Sequence, residues 1–204
     1  MKQRIICFLV FGLVAFQGAA QAAKFNYNQV SLGYLNQTVE MGGISGDLKA
    51  DGFDLSASFE VNTQFAVTLG VGNASGDVTL SGTKVKLDVD AKMLGILFHA
   101  PIAQKTDVVL GAALLQGELK VKPSGFATII EDMDGQNISL GIRTMLSDKL
   151  EVNAGVDQSY FDGETDTDMN LGIEGHVTKD ISVGLNYSSN DDSQSTYLYV
   201  SKYF

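Results

Sequence analysis

Cysteine occurs once in the chain, at Cys7, proline twice and tryptophan nowhere. A single thiol closes no disulfide within the chain and builds no cysteine metal cluster. The two prolines, Pro101 and Pro123, are expected to fall in connections between patterned runs, where they would remove no ladder hydrogen bond from a sheet. Positive charge is also scarce: 14 basic against 24 acidic residues leave a formal net charge of −10. That excludes a nucleic-acid surface, which needs cations against phosphate. Past the opening segment no run of about 18 apolar residues remains, so no helix long enough to cross a bilayer is expected.

The opening segment reads as an export signal. Met1-Lys-Gln-Arg4 is a charged start, residues 5–16 are apolar, and Ala20-Gln-Ala22 supplies small residues at a cleavage position. Cys7 lies inside the apolar run and follows Arg4-Ile5-Ile6, unlike a lipoprotein attachment site. The expected organisation is a cleaved signal peptide over 1–22 and a single β-domain over 23–204. Loss of Lys2 and Arg4 makes the exported chain still more acidic.

What the chain does have is glycine, 22 residues of it, with β-formers throughout and a period of two from Phe25 onward. The first run, about 25–40, sets Val30, Leu32 and Tyr34 against Ser31 and Gly33. The next two alternate likewise: Phe53, Leu55, Ala57 and Phe59 against Asp54, Ser56 and Ser58, then Phe65, Val67, Leu69 and Val71 against Thr68, Gly70 and Gly72. A polar link over 73–83 is expected to follow. In the fourth and fifth runs, about 84–100 and 107–121, the apolar phase reverses midway: Val85, Leu87 and Val89 are odd-numbered but Leu94, Ile96 and Phe98 even. Each reversal lies about nine residues from the turn at 101–106, the length of one membrane crossing, so bulges are expected where this hairpin leaves the bilayer. A loop over 122–135 and four further alternating runs complete the pattern. Turns near 63, 103, 148 and 179 are short, and the other connections are expected to be longer and more acidic.

The last residues, Ser195-Thr-Tyr-Leu-Tyr-Val-Ser-Lys-Tyr-Phe204, alternate and stop on an aromatic ring. An even number of strands with short turns at one end, and a final strand that must close on the first, predicts an all-β transmembrane antiparallel up-and-down barrel of about ten strands, with eight as the alternative. A soluble sandwich or lipocalin-like barrel also alternates, but it does not require the aromatic ending.

On the early Tyr27…Gly33-Tyr34 strand, Asp51-Gly-Phe53, Gly141-Ile-Arg143 and the aromatic end, the chain resembles small OmpA-like, opacity-protein-like outer-membrane barrels of the porin family. The resemblance implies location and fold and transfers no site residues. It also implies Phe204 as an export and assembly signal, outer-membrane lipid, lipopolysaccharide and the barrel-assembly machinery as partners, a monomer, both termini periplasmic and the loops extracellular.

Candidate chemistry is sparse. His99 and His176 both fall on inward faces near short turns, at the rim opposite the outer face where surface-acting barrel proteases and deacylases place their histidines, so neither is expected to be catalytic. Strand pairing about 148 and about the 163–164 turn is expected to bring Arg143, Glu151, Glu174 and His176 into one lumen charge network, with Glu151 beside His176, Asn153 beside Glu174 and Arg143 beside Asn153. A salt-bridged plug fits such a patch; a gate opened by His176 protonation is the sharper alternative. The acids from Asp162 to Asp168 fail the EF-hand pattern, because Leu171 stands where glycine is needed. No metal, cofactor or catalytic residue is expected. The resulting expectation is a small porin-like or structural surface protein with a side-chain-filled lumen; a surface adhesin or receptor platform is the alternative, and a hydrolase is less favoured.

Overall fold

The computed structural model describes residues 25–40, 47–80 and 82–204, so the expected signal segment lies outside the described residues. These residues form ten strands: β1 (Gln29–Val39), β2 (Leu48–Glu60), β3 (Phe65–Leu80), β4 (Thr83–Ala103), β5 (Thr106–Pro123), β6 (Ile129–Ser147), β7 (Leu150–Phe161), β8 (Glu164–His176), β9 (Ile181–Ser189) and β10 (Ser193–Tyr203). Each pairs antiparallel with its chain neighbour, and β1 closes on β10 from Gln29↔Tyr203 to Val39↔Ser193. Closure leaves no row of unpaired backbone groups, the condition for a sheet in hydrocarbon.

Local chemistry sets the turns. Asn62 Oδ1 accepts the backbone N–H groups of Gln64 and Phe65, at 2.9 and 3.1 Å, and so holds the β2–β3 turn. At the β7–β8 turn Asp162 and Gly163 both have positive φ, 48° and 86°, as a two-residue hairpin with the sheet's own twist requires.

Four turns share one end of the barrel with both termini (the terminus end); the opposite end projects unevenly. There β4, β5 and β6 run for 21, 18 and 19 residues, whereas β9 has 9. The expected polar link over 73–83 is strand instead: β3 pairs with β4 as far as Leu80↔Thr83. The expected loop over 122–135 shrinks to a turn between Pro123 and Ile129 for the same reason.

The phase reversals in β4 and β5 are not bulges. Pairing runs without a shift from Val85↔Pro123 to Pro101↔Asp107, and the two irregularities that pairing does show lie at the terminus end, between Pro101 and Ala103 and between Met145 and Ser147. Odd-numbered residues of β4 face inward along its length; what changes is the surroundings. Near the terminus end the outward residues are Leu94, Ile96 and Phe98 and the inward ones Gly95 and His99. Towards the projecting end Lys84, Lys86, Asp88 and Asp90 face out and Val85, Leu87 and Val89 are buried inside. One pleat passes from a greasy exterior to a wet one, and its interior inverts to match.

The outward apolar residues form a continuous band, Leu32, Phe53, Leu69, Leu94, Leu114 and Ile138 on β1 to β6 and Val156, Leu171, Leu185 and Leu198 on β7 to β10. On a particle in water so large an exposed apolar surface drives association; against lipid tails it is the spanning surface. Above it, ion pairs cover the wall: Lys84 with Asp77 at 2.9 Å, Lys122 with Asp88 at 2.6 Å and Lys120 with Asp90 at 2.9 Å.

Asp88 anchors this wall. Partial burial alone would raise its carboxyl, but hydrogen bonds from Lys122, Ser75 and Lys86 outweigh burial and hold it well below the usual carboxylate range. A group depressed on folding stabilises above its unfolded value, near 4, and loses that contribution as pH falls toward the folded value. Asp88→Asn is therefore expected to cost the projecting hairpin about 1 kcal/mol at pH 7. The gap from wild type should narrow on acidification below pH of about 4, read as amide exchange of β4 and β5 at the two pH values.

Candidate functional site in the lumen

Inward positions near the middle of the sheet are small: Gly33, Gly52, Gly70, Gly95, Gly111, Gly141 and Gly184. Large side chains from a few strands lie across them. A Cβ on Gly33 would come within 2.1 Å of the Tyr197 hydroxyl oxygen, and one on Gly184 within 2.1 Å of the Tyr199 ring. The β10 tyrosines thus fill the barrel from one wall, while Leu198 and Val200 between them face lipid.

Near the terminus end the lumen holds a charged and aromatic plug. Arg143 of β6 donates from Nε and Nη2 to the two Glu151 oxygens, at 2.6 and 3.0 Å, and both residues are at most 1% exposed. Its guanidinium lies 4.7 Å from the Phe25 ring centre and 4.9 Å from that of Tyr27. Tyr27 stacks on His99 at 3.8 Å and donates its hydroxyl to Asp107 at 3.1 Å. Glu174, wholly buried, accepts hydroxyl hydrogen bonds from Tyr199, at 2.9 Å, and Tyr203. His176 tilts against Tyr203 with ring centres 5.7 Å apart.

The four charged residues singled out from sequence meet in this plug, with one correction of register. Glu151 stands opposite Glu174, not His176, and Asn153 opposite Gly172, because the β7–β8 turn is two residues tighter than expected. Arg143 stands opposite Asn153 as expected. The cation therefore serves Glu151 directly, and tyrosine hydroxyls serve Glu174. The opening of the first run is the other correction: Phe25 and Tyr27 precede β1 and turn into the lumen mouth. A signal for this was present, since both are odd-numbered and in phase with the inward Gln29 and Ser31, not with the lipid-facing Val30 and Leu32. Asp107, Tyr199 and Tyr203 were also missed.

At the projecting end the interior is apolar over β1 to β6 and the end of β7. Val39, Leu48, Val78, Val85, Leu87, Leu115, Leu119, Met133 and Phe161 pack into one buried cluster, a collar inside the raised wall. On the outer wall, where the lipid band meets the charged face, Leu94, Leu114, Gln116, Asp134, Tyr160 and Lys92 line an open trough of about 690 Å³. Lys92 makes no ion pair among the described residues, unlike the neighbouring Lys84, Lys86, Lys120 and Lys122.

A closed antiparallel sheet with a greasy belt outside and packed side chains inside defines a transmembrane β-barrel. Residues 6–197 match the family model described as outer membrane protein beta-barrel domain, and the chain belongs to that family. Among solved structures it is similar to the transport unit of the autotransporter AIDA-I from Escherichia coli, with a TM-score of 0.64, 11% identity, and coverage of 100% of this chain and 98% of that one. The translocator domain of the autotransporter NalP from Neisseria meningitidis gives 0.54 at 14% identity, covering 100% and 95%. The NanC porin gives 0.50 at 9% identity, covering 87% and 100%. At such identities the likeness is one of fold. No curated protein matches the chain in sequence. The protein is a small barrel protein of the bacterial outer membrane.

Proposed function

We propose that this barrel is a non-conducting structural protein of the cell surface, with its termini in the periplasm and its uneven end outside. The observation that carries the reading is the packing of the lumen. Tyr27, Arg143, Glu151, Tyr199 and Tyr203 near the terminus end, and Leu48 and Met133 in the collar, are each 2% exposed or less. A water-wide path past them would leave these side chains accessible. The orientation is supported by the charged wall, which needs water beyond the lipid band, and by the turns gathered at the terminus end. No catalytic role is assigned: His99 is occupied by Tyr27 and lies 3.7 Å from Asp107, and His176 packs on Tyr203. Membrane lipid, including lipopolysaccharide, is the proposed partner of the belt and trough, where Lys92 meets a headgroup phosphate while Leu94 and Leu114 meet acyl chains. Phe204, exposed at the end of β10, is the proposed contact for the assembly machinery, and the barrel acts as a monomer.

In planar bilayers the purified barrel is expected to give no steady conductance steps between pH 5 and 8. Stable ohmic steps at neutral pH overturn the closed-lumen reading, and steps confined to acid pH that His176→Ala removes would instead establish a gate at His176. Truncating the plug by Phe25→Ala with Tyr27→Ala is expected to leave the barrel closed, because the collar remains.

Surface binding is a second reading, favoured by Phe126 and Ile130, 75% and 58% exposed at the tip of the β5–β6 hairpin. On this reading, cells coated with the barrel adhere to host surfaces and replacing both residues with serine abolishes that adhesion without altering the folded barrel; no adhesion by the wild type overturns it.

A further inference from the structure

Directly opposite one another on β7 and β8, facing the lumen, stand Asp157 and Asp168. They are 7% and 4% exposed. Side chains at such positions lie about 5 Å apart at Cβ, and like charges there repel. The described residues place no Lys, Arg or His in ion-pair contact with either carboxylate. Neutral amides hold them instead: Asn170 Nδ2 donates to Asp157 Oδ2 at 2.5 Å, and Asn190 Nδ2, from the β9–β10 turn, donates to Asp168 Oδ1 at 2.9 Å. Each amide fixes the orientation of a carboxylate and neutralises nothing. Asp157 Oδ1, Asp168 Oδ2 and Asn170 Oδ1 are then left buried with no hydrogen-bond partner.

A buried charge without a partner is costly, and an orphaned acceptor calls for an ion or water that satisfies it. A proton shared between the two carboxylates would bridge two of the three oxygens and leave the amide oxygen unsatisfied. A cation with its own waters satisfies all three. The donors are oxygen only, with no imidazole or thiolate, which selects a hard divalent ion over a transition metal. The described residues hold no group of three His, Cys, Asp or Glu arranged as a metal cage, so the ion keeps part of its hydration shell. A path leads to it: Glu164 and Asp166 face inward on β8 between the Asp162-Gly163 turn and Asp168.

From this juxtaposition we infer a binding site for a hydrated divalent cation, Ca²⁺ or Mg²⁺, between Asp157 and Asp168. Through Asn190 the occupied site ties the β7–β8 hairpin to the β9–β10 turn and stiffens the projecting mouth on the side the apolar collar covers least.

The test uses the folded full barrel in nonionic detergent micelles at pH 7.5 with about 0.1 M KCl, so that loose surface association is screened. Heat unfolding is followed in EDTA and across a CaCl₂ or MgCl₂ titration, with bound Ca²⁺ counted by equilibrium dialysis. The wild type should bind one ion per barrel and show a saturable rise in unfolding midpoint of about 5 °C. Asp168→Asn should bind none and lose the rise, yet unfold at a higher temperature than wild type in EDTA, because the repulsion is gone. Asp162→Asn, which removes an exposed acid at the tip of the same hairpin, should respond as wild type does. A wild type indifferent to both cations overturns the inference, and if its midpoint climbs as pH is lowered from 8 to 5 the pair shares a proton instead. An Asp168→Asn barrel that binds and responds like wild type overturns it equally.

Discussion

Gly33→Val is expected to be among the most damaging single substitutions in the chain, lowering stability by about 3 kcal/mol or preventing folding. The side chain would occupy space already held by Tyr197, whose hydroxyl oxygen lies 2.1 Å and whose nearest ring atoms lie 2.2 and 2.3 Å from the position of the new Cβ. Tyr197 is buried and stacks on Tyr199 at 5.4 Å, so it cannot swing clear. The strand itself tolerates valine well, which separates a packing effect from one on backbone propensity. The measurement is the fraction of folded, heat-resistant barrel after refolding into micelles. Adding Tyr197→Ala to Gly33→Val should recover a substantial part of that fraction, since the clash is with that ring. Failure of the second change to rescue would place the defect elsewhere.

Glu151→Gln should cost about 3 to 5 kcal/mol, because it strands the Arg143 guanidinium in a wholly buried setting. Arg143 keeps its faces on Phe25 and Tyr27 but loses the charge that two hydrogen bonds now bring to it. Arg143→Met with Glu151→Gln removes both charges and should be much less harmful than either single change. Urea unfolding of the three variants closes the double-mutant cycle. A strongly favourable coupling is expected; simple additivity would show that the pair is held by its surroundings and not by its charges.

How far the sequence discloses this molecule depends on which solvent each face meets. In the belt the rule is uniform, grease outward and small or polar residues inward, so Phe53 to Phe59 or Ile138 to Ile142 give strand, face and approximate register together. Above the belt both faces change character at once. Val85, Leu87 and Val89 then look like a lipid face displaced by one residue, and a continuous strand reads as a bulge. The stretch over 73–83 reads as a loop for a related reason: Asn73, Ser75 and Asp77 face water and Gly72, Ala74 and Gly76 face a crowded interior, so neither face is recognisably apolar. The charged plug was half legible. Arg143, Glu151 and Glu174 stand out as charges in inward phase, but which of them touch depends on a turn length that a two-residue error undoes. The tyrosine hydroxyls serving Glu174 come from β10, adjacent in space only because the barrel closes. The Asp157 and Asp168 pair also depends on register, which the spacing of acids along one loop-like stretch does not reveal.

Two different forces hold the ends of this one sheet, and the apolar collar marks the change. Inside the bilayer the strands are kept by hydrogen bonding that has no competitor in hydrocarbon. The raised wall stands in water and is kept by the exclusion of water from its interior, as in any soluble protein. Urea, cold and pressure act on that second force. The collar should therefore loosen under mild denaturant as a unit of its own, exposing Val85 to Val89 and Leu115 to Leu119 to exchange while the belt stays shut. The cell would then meet a sheet whose outermost storey comes apart and re-forms without the barrel leaving its membrane.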